Sequence, residues 1–411
     1  MAIIVVGAGV VGLSTAYALH SDGQDVAVVD RLSGPGLGTS FANAGGLCPS
    51  FAGPWAAPGM IGKAVRWLAQ PSAPLKIRPR LDPAQWRWLW QFAQACKPSP
   101  FEANKRAMQA IAHYSHACLR EIVEETGLRF DRGEGGILQT FRSPDSLAGG
   151  RRAAEVLSEM GIAHRLLDPE EIAQIEPALA RTDLSFTGAL HFPDDGTGDA
   201  QAYCRAMAAW LEDRGVSFRY GTEITGLRQA NGRLTGLRTP DGEIAADAVV
   251  LAGGPWIPAL VPEIPVYPVK GYSLTWPGIA EGAGPRSSIM DEDSKIMFTR
   301  LGDRLRVGGM AELDGFSTRL PKAQLAGMTD ITHRFFPEAA ASAPEPWTGH
   351  RPMTPDGRPR IGPSARVEGL WINAGHGSNG WTQAAGAGRL MADLIAGHAP
   401  AIDPAPYRPV G

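Results

Sequence analysis

Four cysteines in 411 residues, Cys48, Cys96, Cys118 and Cys204, are too few and too scattered for a disulfide framework. They form no CxxC pair and have no histidine partners at metal-ligand spacing, so a zinc site is not expected, and a reducing cytoplasm suits the chain. No run of 18 apolar residues appears, which argues against a membrane-spanning helix. The opening Met1 to Leu19 is apolar but lacks a basic leader, so it is not read as a signal peptide. Charge of one sign is also missing: the net charge is -3 with 20% charged residues, and nothing electrostatic invites nucleic acid.

Hydrophobic residues, by contrast, make up 44% of the sequence, and its length exceeds what one core usually supports, so two domains are expected. The 50 glycines and 34 prolines follow no repeat and imply tight turns and close backbone approaches. Residues 2–6 (AIIVV) read as a buried parallel strand, Val10 to about Ser21 as a helix and 26–29 (VAVV) as a second strand, which together make a βαβ unit. A long helix is expected over 101–126, ending at Gly127, and another from Tyr203 to Arg214. A strand at 216–220 and hairpins at Asn231-Gly232 and Asp241-Gly242 follow. Residues 262–320 alternate like strands, and the chain returns to strand, glycine turn and helix in its last seventy residues.

Gly7, Gly9 and Gly12 form G-x-G-x-x-G between the first strand and helix, and Asp30 ends the next strand. The first glycine permits a tight turn, the second lets backbone approach a pyrophosphate, and the third lets helix and strand pack closely. The helix start at Val10 and Val11 offers unpaired N–H groups and a positive dipole, while Asp30 offers a carboxylate to ribose hydroxyls. This motif predicts a dinucleotide without choosing between FAD and NAD. Two later glycine turns, Gly253-Gly254 and Gly375-His376-Gly377, favour FAD, because each is a place where backbone can touch a large cofactor. His376 is either a loop histidine or a flavin neighbour.

The segment from Pro49 to Pro100 differs in character, with five of the eleven tryptophans and a series of basic residues. Trp86, Trp88 and Trp90 alternate at strand spacing. The segment reads either as a lid whose aromatics are core or as a membrane-surface or quinone-facing element.

Taken together, the runs ANAG (42–45), PWAAPG (54–59), DDGTGD (194–199), IPVYPVKGYSLT (264–275), RLRVGGMAE (304–312), RPMTPDG (351–357) and NAGHG (373–377) resemble the D-amino-acid dehydrogenase family of bacterial flavoproteins. That family lies within the wider group of D-amino-acid oxidase, glycine oxidase and sarcosine oxidase. The resemblance implies noncovalent FAD and oxidation of small D-amino acids to 2-oxo acids and ammonia, with electrons passing to quinone or another acceptor. It also implies a cytoplasmic location with peripheral contact on the inner membrane.

Carried over by position, the cofactor would be lined by Gly7, Gly9, Gly12, Asp30, Arg31, Ser40, Asn43, Ala44, Gly45, Gly46, Ile224, Gly253, Trp256, Gly375, Gly377, Ser378, Asn379, Gly380 and Trp381. By the same resemblance Arg351 would be the family's substrate arginine, and a guanidinium fork suits a carboxylate on chemical grounds as well. Tyr272 is the candidate for an active-site tyrosine, and His376 a further catalytic candidate. Gly46, His350 and Asn379 depart from the family pattern at positions that could face the substrate. In this reading hydride leaves Cα for flavin N5 without a side-chain base.

The fold expected is α/β: a discontinuous Rossmann-type FAD-binding domain (1–50, 190–258 and 345–411) and an inserted β-rich α+β substrate domain (51–189 and 259–344). The rival readings are an oxygen-using oxidase of glycine, sarcosine or hydroxyproline type and, from another class, a non-catalytic dinucleotide-binding regulatory protein.

Overall fold

The computed structural model describes residues 2–68 and 73–409. The buried runs expected to be parallel strands pair in one six-stranded sheet. Its order is Arg360–Pro363, Leu370–Ala374, Val249–Leu251, Ile3–Val6, Val26–Val29, Ser217–Arg219. All neighbours are parallel except the Arg360–Pro363 edge. Near-continuous apolar runs such as VVL mark strands covered on both faces.

Helices Val10–Ser21 and Gly380–Ala396 cross closely on that sheet. At Gly388 an added Cβ would lie 2.5 Å from the Ser14 carbonyl oxygen, and only a glycine permits the approach. The helix expected at 203–214 is Ala200–Glu212, started earlier by Asp199, whose carboxylate accepts from the Gln201 and Ala202 N–H groups. The long helix is Pro98–Thr126, ended as expected by Gly127 at φ 66°. Asn231 and Gly232, both at positive φ, close the first hairpin of a three-stranded meander, Gly226–Ala230, Arg233–Thr239 and Gly242–Ala245.

The remaining strands form a nine-stranded sheet. Its order runs Glu345–Met353, Tyr267–Trp276, Arg304–Leu313, Ile296–Leu301, Ser288–Asp291, Ile137–Phe141, Gly188–Phe192, Arg165–Leu167, with Leu75–Ile77 alongside Arg304–Leu313. The segment boundaries expected at 190 and 345 fall inside this sheet. Gly188–Phe192 pairs with Ile137–Phe141, and Glu345–Met353 pairs along its whole length with Tyr267–Trp276, so the chain crosses back only after Phe192 and after Met353. Gly46–Leu47 and Gly196–Thr197 pair as a small ribbon.

The tryptophan segment corrects a second expectation. Trp86, Trp88 and Trp90 lie on the helix Pro83–Ala95, started by Asp82 and by proline at its first position. Two residues on a helix are about 200° apart, so Trp88 points inward, 5% exposed and bonded through its indole N–H to the Met353 carbonyl. Trp86 and Trp90, one turn apart, stay 53% and 65% exposed. Burial that alternates every two residues thus imitates a strand.

Candidate active site

One continuous cavity of about 900 Å³ runs between the two sheets, at the upper end of small-molecule sites. At the six-stranded end it meets the glycine turn. Gly7 (φ 119°) has its Cα against Ala252, where a Cβ would come 2.6 Å from the carbonyl oxygen. A Cβ on Gly12 would come 1.8 Å from the Gly7 carbonyl oxygen, so Gly12 lies under the turn and sets the helix–strand contact, while Gly7, Gly9, Val10 and Val11 line the cavity. Gly9 gives no side-chain cap to the helix Val10–Ser21, and Ser40 Oγ accepts the Val10 N–H at 3.2 Å. Asp30 takes one backbone N–H on each oxygen, from Ala8 at 2.6 Å and Leu32 at 2.8 Å, and each oxygen keeps a second lone pair for a hydroxyl. Arg31 lies 3.6 Å over the Trp256 ring, and Ile224 and Gly253 complete this end.

Farther in, Asn43, Ala44, Gly45 and Gly46 form a wall. Asn43 Oδ1 accepts the Gly45 N–H at 3.0 Å, Gly45 sits at φ 79°, and a Cβ on Gly46 would strike Cys48 Sγ at 2.5 Å. Arg306, absent from the sequence-based candidates, holds this wall from behind through the Asn43 carbonyl at 3.0 Å; its burial lowers its pKa to about 10. The facing wall is Gly375 to Trp381, where Gly375 and Gly377 take positive φ and the helix Gly380–Ala396 begins without a side-chain cap. Ser378, Asn379 and Gly380 line the cavity here. Trp381 reaches it too, although its indole N–H is committed to the Gly198 carbonyl. His376 is 2% exposed, its Nε2 has no protein partner, and burial pushes its pKa down to about 3, so the ring is neutral.

These glycine cradles leave backbone bare along the cavity where a flat, extended dinucleotide would run, and the N-termini of the helices Val10–Ser21 and Gly380–Ala396, both on the six-stranded sheet, face it. The residues present therefore fit FAD.

At the far end stands Arg351. Its guanidinium faces the cavity, Nη1 donates to the Met310 carbonyl at 2.9 Å, and the Trp55 ring lies 5.7 Å away. Among the described residues no carboxylate pairs with it, and enclosure lowers its pKa to about 10. Trp347, Met297 and Met290 extend this end; none of them carries a sequence signal beyond being apolar.

Two expectations fail here. Arg351 is paired across the ladder with Val269, and a Cβ on Gly271 would strike the Arg351 guanidinium, so the odd-numbered residues 269 and 271 share the face of Arg351. Tyr272 and His350 belong to the opposite pleat. Tyr272 touches the cavity wall, but its hydroxyl donates to Glu312 among the core side chains of the nine-stranded sheet; burial first, then that bond, raises its pKa. His350 bonds the Ser317 carbonyl through Nε2 at 3.1 Å and packs at a tilt against Phe316.

The family of FAD dependent oxidoreductases matches residues 2–394. The D-amino acid dehydrogenase of Cereibacter sphaeroides is 47% identical over 410 residues, covering 98% of this chain and 94% of the relative. That of Granulibacter bethesdensis is 43% identical, covering 98% and 97%. Among solved structures, glycine oxidase from Bacillus cereus superimposes with a TM-score of 0.75 at 22% identity over 96% of this chain and 95% of its own. L-proline dehydrogenase from P. horikoshii gives 0.73 at 21% over 97% and 94%. Those two share the fold. With the match spanning both sheets and the cavity between them, the chain belongs to the FAD dependent oxidoreductase family and takes FAD as its cofactor.

Proposed function

We propose that this enzyme oxidises the Cα–N bond of small D-amino acids, giving 2-oxo acids and ammonia and passing electrons to a quinone or similar acceptor. The observation that carries the reading is the enclosed Arg351 guanidinium, without a protein carboxylate, at the opposite end of the cavity from the dinucleotide turn. The D-amino acid dehydrogenases, nearly half identical over almost the whole chain, support the substrate class.

Gly7, Gly9, Asp30, Ser40, Asn43–Gly46, Gly253, Trp256 and Gly375–Trp381 would hold FAD, which when bound supplies the acceptor for the hydride leaving Cα. Arg351 binds the substrate carboxylate and so fixes which face of Cα is presented. Trp55 and Trp347 exclude water. The positive Arg351 favours entry of the amine in its neutral form. Tyr272 and His376 do not act as bases: the phenol is bonded to Glu312, and the His376 imidazole protonates only near pH 3. The imine product then hydrolyses in water.

The acceptor side rests on two helices, Met60–Leu68 and Pro83–Ala95. Ile61, Val65, Trp86 and Trp90 are exposed beside Lys63, Arg66 and Arg87, a composition suited to an anionic membrane surface. Ala64, Leu89 and Phe92 of the same helices line the cavity, giving an apolar acceptor a way in. No helix of the described residues is long and apolar enough to cross a membrane.

Anaerobic addition of D- and L-amino acids to the FAD-bound enzyme tests the reading. Small D-amino acids are expected to bleach the visible absorbance and then to reduce a soluble quinone faster than oxygen; bleaching by L-isomers alone would overturn it.

A further inference from the structure

The head of Arg351 does not hang free in the cavity. It lies flat on the next strand at Gly271, where an added Cβ would come 2.4 to 2.6 Å from Nη1, Cζ and Nη2. The strand beyond carries one extra residue at this point. Lys270 pairs with Glu312 and Tyr272 with Gly309, so Met310 and Ala311 share the single place opposite Gly271. Met310 takes φ 58°, a left-handed conformation uncommon for a residue with a side chain. A strained residue inside a sheet persists only where its surroundings over-determine it. Here they do so from the reverse face: Tyr272, on one side of the extra residue, donates to Glu312, and Lys270, on the other, lies 3.0 Å from the same carboxylate. Burial alone would raise the Glu312 carboxyl, yet hydrogen bonds from Tyr272, Lys270 and Arg78 hold it below its usual value.

We propose that Gly271 and the left-handed Met310 are positioning residues for the substrate's carboxylate: the bulge turns the Met310 carbonyl toward Arg351 Nη1, and the bare Gly271 backbone gives the guanidinium a flat seat. One N–H is taken by Met310, and the remaining donors of the fork keep a free edge toward the cavity. Glu312 and Asp314, which follow Met310 along the chain, are committed to Lys270 on the other pleat and leave the arginine without a carboxylate partner from this stretch. Tyr272 belongs to this device as a staple behind the sheet.

The inference rests on the reading of Arg351 as the carboxylate ligand, and the test separates the two. Benzoate, a planar carboxylate with no amine to oxidise, is titrated into the FAD-bound enzyme while the visible absorbance is followed, and KM and kcat are measured with small D-amino acids. Gly271→Ala is expected to weaken benzoate binding by about 10-fold or more and to raise KM more than it lowers kcat, with FAD retained. Met310→Val, whose branched side chain resists the left-handed region, is expected to act likewise, whereas Met310→Gly, which adopts it freely, keeps binding close to the native protein.

Benzoate binding within about 2-fold of native in both Gly271→Ala and Met310→Val would overturn the seat, as would equal losses in Met310→Gly and Met310→Val. If Gly271→Ala does not fold, the Met310 pair decides alone. Absence of benzoate binding by the native protein overturns both readings. Turnover of D-amino acids with unaltered variants overturns the seat only.

Discussion

The six-stranded and nine-stranded sheets wall opposite ends of one cavity, and they make their binding surfaces by different means. At the first, backbone does the work. Gly7, Gly9 and Gly12 strip side chains from a strand-to-helix turn, leaving N–H groups and a helix dipole bare toward the cavity, as a dinucleotide would need. At the second, side chains fold over glycine. Arg351 lies on Gly271, and Trp347 covers Gly349, where a Cβ would come 2.0 Å from the indole. A backbone site is complete within a few residues of chain, whereas the folded-over site needs three neighbouring strands in register before it exists.

Substitutions should separate the two ends. The largest effect is expected from Gly12→Val, which places carbon against the Gly7 carbonyl and should cost more than about 3 kcal/mol, with loss of FAD. FAD-to-protein ratio and Tm check it, and retention of both would refute the packing role of Gly12. Arg351→Ala should instead leave the yellow colour intact and lower kcat/KM by about 100-fold or more. An unchanged kcat/KM would remove Arg351 from the site.

The seam between the sheets provides a third comparison. Asp195, beside the Gly46–Leu47 ribbon, accepts the Ser50 N–H, and burial raises its pKa from 3.8 to about 7. The folded chain therefore holds a proton that the unfolded chain has already lost between about pH 4 and 7, so stability falls as pH rises through that window. Asp195→Asn should flatten this slope and raise stability at pH 8 by about 2 kcal/mol. Parallel melting curves at pH 5 and pH 8 would contradict it.

The smallest effect is expected from Tyr272→Phe. Removing the staple's hydroxyl should cost about 1 kcal/mol of stability and change turnover by less than about 3-fold. A collapse of kcat with Tm unchanged would return Tyr272 to the reacting face.

The contrast explains what the sequence made legible. The dinucleotide turn could be read from spacing because every part of it lies between residues 3 and 30. Asp199 started its helix earlier than apolar periodicity suggested, and Asp82 started one where the tryptophan spacing suggested a strand, because a cap is a side-chain bond rather than a period. Arg351 came from resemblance rather than spacing. Its seat could not be read at all, because nothing in VGGMAE marks Met310 as left-handed, and the pleat that sends Tyr272 away from Arg351 is fixed only by pairing to a strand some eighty residues later. Trp55 stood inside a quoted motif, yet its place beside Arg351 depends on the same long-range docking.

The most direct test of one cavity with two unlike ends is a crystal structure of the protein grown with FAD and a non-reacting carboxylate analogue of a D-amino acid. The pyrophosphate is expected at the start of the Val10–Ser21 helix and the carboxylate on the Arg351 guanidinium, between Trp55 and the Gly271 backbone. A carboxylate bound elsewhere, with Arg351 turned to a protein partner, would contradict the account.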